Sequence, residues 1–425
     1  MLKTREGRHT HKRWSLRRSW SLLGILVLIT LMISAIGLDK RTHPTPTNRG
    51  SVFSDGGPRY RERLGRLHLP SQSVSGWTVS YPIALPAGYE TPTGLALDTS
   101  GGVWAFSQAL VNGTPLESLF HWSANFTLLS SYAIDPTDAD LQAGLQTPVV
   151  IDSSGTAWLG LNSTLVIAKP SQPTLTTVSL PSVTVGSSGS GLPTFPGPNP
   201  GAETPIDSLA VAPDGSIIVG RAFATELQEV NTSTLDVANI ALPQGTALAG
   251  LGVGDVSRSM TNGDIAAALY SSSGVHELGQ YMQGAWSVDG GSCPAYATSM
   301  SQQELVVTGP ACVASASITQ DSSAVTVQPL SLTGLTNLPC AAQISPTTLL
   351  VCVSGGVSAL IGSSQSPTIQ LGEAPTGPSI GGSPSGVKDG LVPVLPSLIC
   401  SGEIGEAWFI SRQAGGTIGL ITQDT

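Results

Sequence analysis

The chain has 425 residues, and only 11% of them are Asp, Glu, Lys or Arg, against about 25% in typical soluble domains. Fourteen of the nineteen Lys and Arg precede residue 67, and the rest of the chain sets five cations against twenty-four acids, a formal charge of −19. Because duplex binding needs clustered Lys and Arg, these numbers exclude nucleic acid as an expected partner. The length admits one large β domain or two to three ordinary ones.

The first 38 residues predict a basic cytoplasmic tail, 1–18, followed by a transmembrane helix, 19–38. The segment SWSLLGILVLITLMISAIGL has twenty residues and no charge, and a helix of that length spans a hydrocarbon core of about 30 Å. Seven Lys and Arg stand before it, which places the N-terminus in the cytoplasm and the remainder outside. The alternative is a cleaved signal peptide, with an apolar region from Leu22 to Ile33 and a poor cleavage site before Ile36.

Residues 39–76 are rich in Pro, Arg, Gly and Ser and predict a flexible linker or stalk. A short surface helix over RYRERLGRLHL is the alternative for part of it. From Trp77 to the end, short runs of Val, Leu, Ile, Ala and Thr alternate with Gly, Pro and Asp-Gly turns, which is typical of many short strands.

One strand–turn–strand pattern recurs through this region. Its copies begin at Gly94, Pro148, Ser208, Gly250, Ala295, Ala341 and Gly390. Seven copies at intervals of about 40 to 60 residues, with four strands per unit, predict an all-β fold: a seven-bladed β-propeller over 77–425. Six or eight blades are alternatives because the fifth and sixth copies are faint.

The two ends of this region predict how the ring closes. The last copy is one strand short, and GWTVSYPIALP, from Gly76, precedes the first copy and matches an outermost strand. This N-terminal strand is predicted to complete blade 7, which removes an exposed sheet edge.

All five cysteines follow residue 290, in a part of the chain expected outside the cytoplasm, where disulfides persist. Cys293 and Cys312 lie symmetrically about one predicted hairpin turn, and Cys340 and Cys352 about the next. Opposed hairpin positions are close enough for a disulfide, so these two pairs are predicted to be bonded. Buried free thiols are the alternative, and Cys400 has no partner in this scheme.

The phrases TPTGLALDTSGGVWAF, PIDSLAVAPDGSIIVG and LGEAPTGPSI resemble the streptogramin lyase and NHL class of β-propellers. The resemblance covers about 77–425 as a repeat pattern, and it implies the fold. It also implies catalysis by His and Glu side chains around a magnesium ion at the central face. Beyond the linker this chain has only His121 and His276, both in the third strands of their blades. No catalytic residue, metal ligand or cofactor is therefore carried over.

Two repeated features are interpreted as structural. Asp98, Asp152 and Asp214 each supply a single carboxylate followed by small residues, which favours a β-turn over a calcium loop. Trp104, Trp158 and Trp408 occupy one position of the repeat, which favours packing between blades over a stacking platform for a ligand.

The candidate ligand site is the mouth of the central channel, where second strands end and inner strands begin. Arg221 and Arg412 end second strands, Gln108 and Asn162 are their counterparts in blades 1 and 2, and Glu90 and Asp207 lie near inner-strand starts. One hypothesis is a site for a small polar or anionic ligand; the other is ordinary ion pairs between these arginines and nearby acids.

Together these features predict a single-pass membrane protein whose extracellular propeller acts as a binding or scaffold module of the cell envelope. Its expected partners are the membrane, envelope proteins or a small polar ligand. A lyase- or hydrolase-like enzyme with its site at the channel mouth is the alternative, and an envelope protein of purely structural role is a third. The chain has no G-x-S-x-G, H-E-x-x-H, C-x-x-C or P-loop motif.

Overall fold

The structure is a computed structural model, and it describes part of the chain. The described residues are 72–74, 76–86, 89, 91–111, 114–134, 146–185, 204–250, 255–259, 263–290, 293–300, 304–309, 312–317, 326–330, 332, 340–353, 355–375, 391–393, 398–411 and 416–424. They all belong to the second of the two units, Met1–Gly57 and Pro58–Thr425, into which the chain divides. The predicted tail, the helix over 19–38 and the linker up to residue 71 lie outside them. In the described part of the chain, no helix is long and apolar enough to cross a bilayer.

The described residues form strands and turns. The first two strands are β1 (Gln72–Val74) and β2 (Trp77–Ala84). Blade 1 is β3 (Thr91–Leu97), β4 (Val103–Val111), β5 (Thr114–Trp122) and β6 (Leu128–Ile134). Blade 2 is β7 (Val149–Ile151), β8 (Ala157–Leu161), β9 (Thr164–Ala168) and β10 (Thr176–Ser179). Blade 3 is β11 (Ile206–Val211), β12 (Ile217–Arg221), β13 (Glu226–Val230) and β14 (Val237–Ala241).

The second half of the ring follows the same plan. Blade 4 is β15 (Thr246–Leu248), β16 (Val256–Arg258), β17 (Ile265–Ser271), β18 (His276–Met282) and β19 (Ala285–Asp289). Blade 5 is β20 (Ala297–Met300), β21 (Glu304–Thr308), β22 (Val313–Ser317) and β23 (Gln328–Pro329). Blade 6 is β24 (Ala341–Ser345), β25 (Thr348–Val353), β26 (Gly356–Ile361) and β27 (Ser364–Gln365). After β28 (Glu373–Pro375) and β29 (Leu391–Pro393), blade 7 contributes β30 (Leu398–Ser401), β31 (Glu406–Ile410) and β32 (Thr417–Gln423).

Each blade is an antiparallel sheet, with strands paired in chain order except in blades 4 and 7, and the seven sheets confirm the predicted seven-bladed propeller. Blade 7 has the order β1-β2-β32-β31-β30, with Trp77 opposite Gln423 and Ala84 opposite Thr417. The N-terminal strand therefore closes the ring, as its pattern predicted. The last residues of the segment expected as linker form β1, which pairs with β2.

The core consists of apolar seams between neighbouring blades. Along each strand alternate side chains face opposite neighbours, so Trp104, Phe106 and Leu119 pack against blade 2 while Ala105 and Phe120 pack toward blade 7. The three repeated tryptophans are at most 4% exposed and lie in such seams. Their interpretation as packing residues is confirmed.

Two inner strands differ from the sequence prediction. In blade 4 the inner edge is shared by β15 and β16, which both pair with β17, so the single inner strand expected from Gly250 is divided. In blade 7 the inner strand is β30, which begins at Leu398; the expected strand near Leu391 pairs instead with β28 in a separate ribbon. In the sequence, the copies of the repeat that begin at Gly250 and Gly390 are long and irregular, and the apolar residues that matched the pattern there include residues outside the inner strands.

Both predicted disulfides are present. Cys340 and Cys352 continue the register of the β24–β25 ladder, with 5.4 Å between their Cα atoms, and Cys293 and Cys312 are 5.7 Å apart. Cys312 lies in the turn after β21 rather than within the strand, although the pair keeps the register of the β20–β21 ladder. Cys400 is a free thiol.

Candidate functional site

Polar side chains join the inner strands at the end of the ring where those strands begin. We call this end the mouth face, defined by Thr93, Thr147, Asp207 and Asp255. Between blades 1 and 2, the hydroxyl oxygens of Thr93 and Thr147 are 3.0 Å apart, and the Thr147 N–H donates to the Thr93 carbonyl over 2.8 Å. Gly94 allows this approach, because a Cβ atom there would lie 2.7 Å from the Thr147 carbonyl oxygen.

Two buried acids, Asp207 and Asp255, lie at the inner strands of blades 3 and 4. Asp207, like Thr93, stands at a register shift of its inner strand, and its Oδ2 accepts no hydrogen bond from the described residues. Asp207 is 9% exposed and Asp255 is fully buried. Burial raises the pKa of Asp207 to about 7, although the hydrogen bond from Ser208 acts in the opposite direction.

Gln108 also lies near a buried acid. Its Nε2 donates to Glu117 Oε1 over 3.0 Å, and the two residues are direct partners on β4 and β5. Glu117 is 1% exposed, and its Oε2 accepts no hydrogen bond from the described residues. Burial raises the pKa of this carboxyl to about 7, with the Gln108 hydrogen bond partly offsetting it. Gln108 does not end its strand as expected, because β4 continues to Val111.

Arg221 ends β12 as predicted, but it is not displayed to solvent at the mouth. The residue is 1% exposed. Its Nε donates to the Thr204 carbonyl and its Nη1 to the Pro181 carbonyl, each over 2.8 Å. Gln228 donates to the same Pro181 oxygen over 3.0 Å. These contacts tie the connection between blades 2 and 3 to the sheet, so the guanidinium acts here as a structural clamp rather than as an open anion receptor.

The remaining predicted site residues are placed as follows. Asn162 lies in the β8–β9 turn with a positive φ of 49°, and its carbonyl accepts the N–H of Ile206 at the start of the next inner strand. Glu90 and Arg412 lie outside the described residues. The structure therefore brings Asn162, Arg221 and Asp207 together around the beginning of β11, and it places Gln108 in the seam between blades 1 and 2.

Sequence reasoning missed two acids, Glu117 and Asp255. The signal for Glu117 was a charged residue inside the apolar strand TPLESLFHW. Asp255 immediately precedes a three-residue strand, and no repeat pattern in the sequence there indicated which residues reach the inner edge.

The Asp turns confirm their structural interpretation. Asp98 Oδ1 accepts the N–H groups of Ser100 and Gly102, each over 2.8 Å, and Asp152 does the same for Ser154 and Thr156. Asp98 also contacts His121 Nε2 over 3.0 Å. Burial lowers the pKa of that imidazole, and Asp98 partly compensates. His121 is thus part of a turn network in a third strand, as is expected for an outer position.

Four exposed apolar side chains lie at the opposite end of the ring: Phe126 and Ile404 in turns of blades 1 and 7, and Leu128 and Leu129 at the start of β6. We call them the hairpin-face patch: Phe126, Leu128, Leu129 and Ile404, with exposures of 41, 44, 58 and 87%. The two turns are adjacent. The Phe126 ring packs edge-on against Trp408 with centroids 5.7 Å apart. A Cβ atom on Gly101 would lie within 3.8 Å of both Ala124 and Glu403.

No known protein family and no curated protein matches the sequence. Among solved structures, the chain is similar to virginiamycin B lyase from Staphylococcus aureus, both as a catalytically inactive variant with quinupristin and as a selenomethionine-substituted form. Each gives a TM-score of 0.55 and 12% identity over 81% of this chain and 99% of the lyase chain. The likeness is one of fold.

A second similar structure is the extracellular domain of a putative hybrid two-component system protein from B. thetaiotaomicron. It gives a TM-score of 0.49 and 11% identity over 80% of this chain and 39% of the other. The fold-level resemblance expected from the blade phrases is therefore confirmed by the lyase structures, and chemistry must be argued from this chain's own residues.

Proposed function

We propose that this chain is a membrane-anchored, extracytoplasmic propeller that binds a protein of the cell envelope through the hairpin-face patch. The observation that carries the proposal is the clustering of that patch. Nine large apolar side chains are exposed among the described residues; two of them lie in these adjacent turns, and two more begin the strand that follows one of the turns. Single exposed apolar residues are ordinary, whereas a group on one face marks an interaction surface.

The backbone conformation of Phe126 supports a functional role for this surface, because an exposed aromatic side chain is kept there at an energetic cost. Its φ is +60°, a conformation that glycine occupies in the inner hairpin turns at 101, 155, 215 and 405 and that Leu235 also adopts in the outer hairpin of blade 3. A non-glycine residue in this region costs of order 1 kcal/mol or more. The contact with Trp408 offsets part of this cost, and the ring still leaves 41% of its surface exposed.

The charges around the patch indicate the chemistry of the partner. Glu403 and Asp424 are exposed on the same face, and the chain from residue 67 onward is strongly acidic. Anionic lipid headgroups would be repelled by such a face. A protein that offers an apolar side chain flanked by Lys or Arg is the matching occupant.

Two features support the proposed location. The uncharged segment 19–38, with seven cations before it, is suited to an N-in anchor. Two disulfides are typical of an oxidising compartment. An N-terminal epitope tag that stays on the mature chain and sediments with carbonate-washed membranes would support the anchor, whereas release of an untagged soluble chain would refute it.

The binding experiment compares the full chain, crosslinked in intact cells and purified, with the double variant Phe126→Ser/Ile404→Ser. Val288→Ser, an exposed valine of blade 4, is the matched control. Loss of two central apolar contacts is expected to reduce recovery of the partner at least tenfold, with the control unchanged. Equal recovery of the same envelope protein by both variants would refute the assignment of this surface.

The enzyme alternative would use the acids at the mouth face. Asp207 and Asp255 are the acids among the four residues that define the mouth face, and they are at most 9% exposed. A substrate would have to open the seam between blades to reach them. Their burial therefore favours a structural role over a catalytic one.

A further inference from the structure

The outermost strand of blade 1 has an open edge. β6 pairs with β5 on one side, and no described strand pairs with its other side. Its seven residues, LLSSYAI, include no charge and no proline, and residues 118–134 as a whole contain no Asp, Glu, Lys or Arg. Edge strands are normally short or carry a charge or a proline, because their unpaired N–H and C=O groups otherwise pair with another strand.

The outermost strands of the other blades provide the comparison. β10 has four residues, β1 has three, and β23 and β27 have two each. β14 and β19 have five each. β19 ends in the charged Asp289, and the Ala241 carbonyl at the end of β14 accepts a hydrogen bond from Trp286 Nε1 over 2.8 Å. Among the described outermost strands, β6 is therefore the longest, and it has none of these protections.

A β-bulge shapes the beginning of the open edge. The register between β5 and β6 shifts at Leu129, which is inserted between Leu128 and Ser130. Successive side chains of a regular strand point to opposite faces of the sheet, but at this bulge both leucines are exposed. From Ser130 to Ile134 more exposed and less exposed side chains alternate, as in a regular strand. β6 thus presents two apolar side chains at the hairpin face, followed by a regular edge with unpaired backbone groups.

The charges near β6 indicate which strand would fit its edge. A charged side chain in the middle of an incoming strand would lose water against the uncharged edge, which is costly. The β5–β6 turn lies beside Glu403, since a Cβ atom on Gly101 would be within 3.8 Å of both Ala124 and Glu403 Oε1. β6 begins at this turn, so an antiparallel strand ends there. A Lys or Arg at the C-terminal end of the incoming strand would therefore face an acid.

We propose that the envelope partner contributes an extended segment that adds to β6 as an antiparallel strand. The segment is uncharged and free of proline over the length of the open edge, places an apolar side chain against Leu128 and Leu129, and ends in Lys or Arg. Hydrogen bonds between the two main chains supply affinity, and the side chains supply specificity. This inference rests on the proposed function, because it states how the partner of the hairpin-face patch is held.

The test measures the binding of three synthetic peptides to the full chain in detergent by fluorescence anisotropy. The probe is labelled acetyl-Thr-Val-Thr-Val-Thr-Val-Lys-Lys-amide, and two further forms carry N-methyl groups on its threonines or on its valines. Alternate N–H groups of a strand point to opposite sides, so one methylated form loses its hydrogen bonds to β6 and the other keeps them. We expect one form to bind at least about tenfold more weakly than the probe and the other within about threefold.

A binding mode through side chains alone gives no such alternation. Equal affinities of the two methylated forms, or no binding of the probe, would overturn strand addition. Leu129→Ser is expected to weaken binding of the probe at least about threefold, whereas Val288→Ser, an exposed valine of blade 4, is the matched control and is expected to leave it unchanged.

Hydrogen exchange locates the added strand. Amides of β6 are expected to gain protection when the probe binds, while those of β10, the outermost strand of blade 2, do not change. Protection of β10 alone, or equal protection of both strands, would contradict the assignment of this edge. A second copy of the chain is the competing occupant. A dimer that forms without peptide and already protects the amides of β6 would overturn the proposal in favour of self-association.

This result can be told apart from that of the partner-binding experiment. If Phe126→Ser/Ile404→Ser loses the envelope protein but the two methylated peptides bind equally, the hairpin-face patch is supported and strand addition is refuted. If the envelope protein is retained but the two peptides differ at least about tenfold, β6 accepts a strand and the envelope protein is refuted as its source.

Discussion

The equivalent tryptophans of blades 1 and 2 should respond differently to the same substitution. Trp158 Nε1 donates to Asp152 Oδ2 over 2.9 Å. Trp104 stands at the same place in its blade, but Asp98 Oδ2 is occupied by His121, and the Trp104 Nε1 has no hydrogen-bond partner among the described residues. The Trp104 ring stacks on His121 instead, with centroids 4.0 Å apart.

Replacing each tryptophan by phenylalanine removes similar ring atoms from a buried seam, so the packing costs largely cancel between the two variants. Trp158→Phe also breaks a hydrogen bond to a carboxylate, which is worth about 1.5 to 3 kcal/mol. Trp104→Phe removes an N–H that is already unsatisfied, which relieves a penalty of about 1 to 3 kcal/mol. Trp158→Phe is therefore expected to be more destabilising by at least about 2 kcal/mol.

The assay is urea denaturation of both variants and the natural chain at one pH near neutrality, followed by far-UV circular dichroism. Equal slopes would show that the same surface unfolds, so that the midpoints can be compared. A Trp104→Phe variant as destabilised as Trp158→Phe, or more so, would refute the assignment of the two hydrogen-bonding patterns.

Three further predictions concern the described residues. Replacing both cysteines of either disulfide by serine, Cys340 with Cys352 or Cys293 with Cys312, should lower the free energy of unfolding by about 3 kcal/mol, because the bridges close loops of sequence separation 12 and 19. Denaturation with and without reductant measures this loss, and an unchanged midpoint would contradict it. Burial raises the pKa of Glu117 to about 7 in the folded chain, so the natural chain should lose at most about 3 kcal/mol of stability as pH rises from about 4.5 to about 7. Glu117→Gln should remove this loss. If the free energies of unfolding of the variant and the natural chain follow parallel pH profiles, this acid is not buried as described. The Cys400 thiol is half-buried, and its pKa is raised to about 12, so it should react with iodoacetamide far more slowly in the folded chain than after unfolding. Mass spectrometry of the unfolded, unreduced chain should then find one labelled thiol.

The repeat was readable from the sequence because its first copies keep their turn chemistry. Asp98 and Asp152 hold their turns through backbone N–H groups within four residues, and such local bonds leave a sequence signature. The cysteine pairs could be predicted for a related reason, because residues at equal distances on either side of a hairpin turn face each other across the two strands.

The candidate site was less predictable because it depends on contacts between blades. Arg221 was placed correctly at the end of its strand, but burial by the connection from blade 2 is a property of packing, and its bonds to Pro181 and Thr204 involve carbonyls without a side-chain signature. Asp207 and Asp255 are buried on different blades. A single sequence does not indicate which acids of neighbouring repeats are buried there.

The closure of the ring has a consequence for the synthesis of the protein. Strand β2 is made early, yet its partner β32 is the last strand described. Until β32 has been synthesised, Trp77, Val79 and Tyr81 lack the apolar neighbours of their core cluster. Ile83 lacks the apolar neighbours of a second core cluster during the same interval. At about 5 to 20 residues per second, translation leaves this apolar strand unsatisfied for tens of seconds. The strand that seals the mature domain is thus the segment most in need of a chaperone while each molecule is being made.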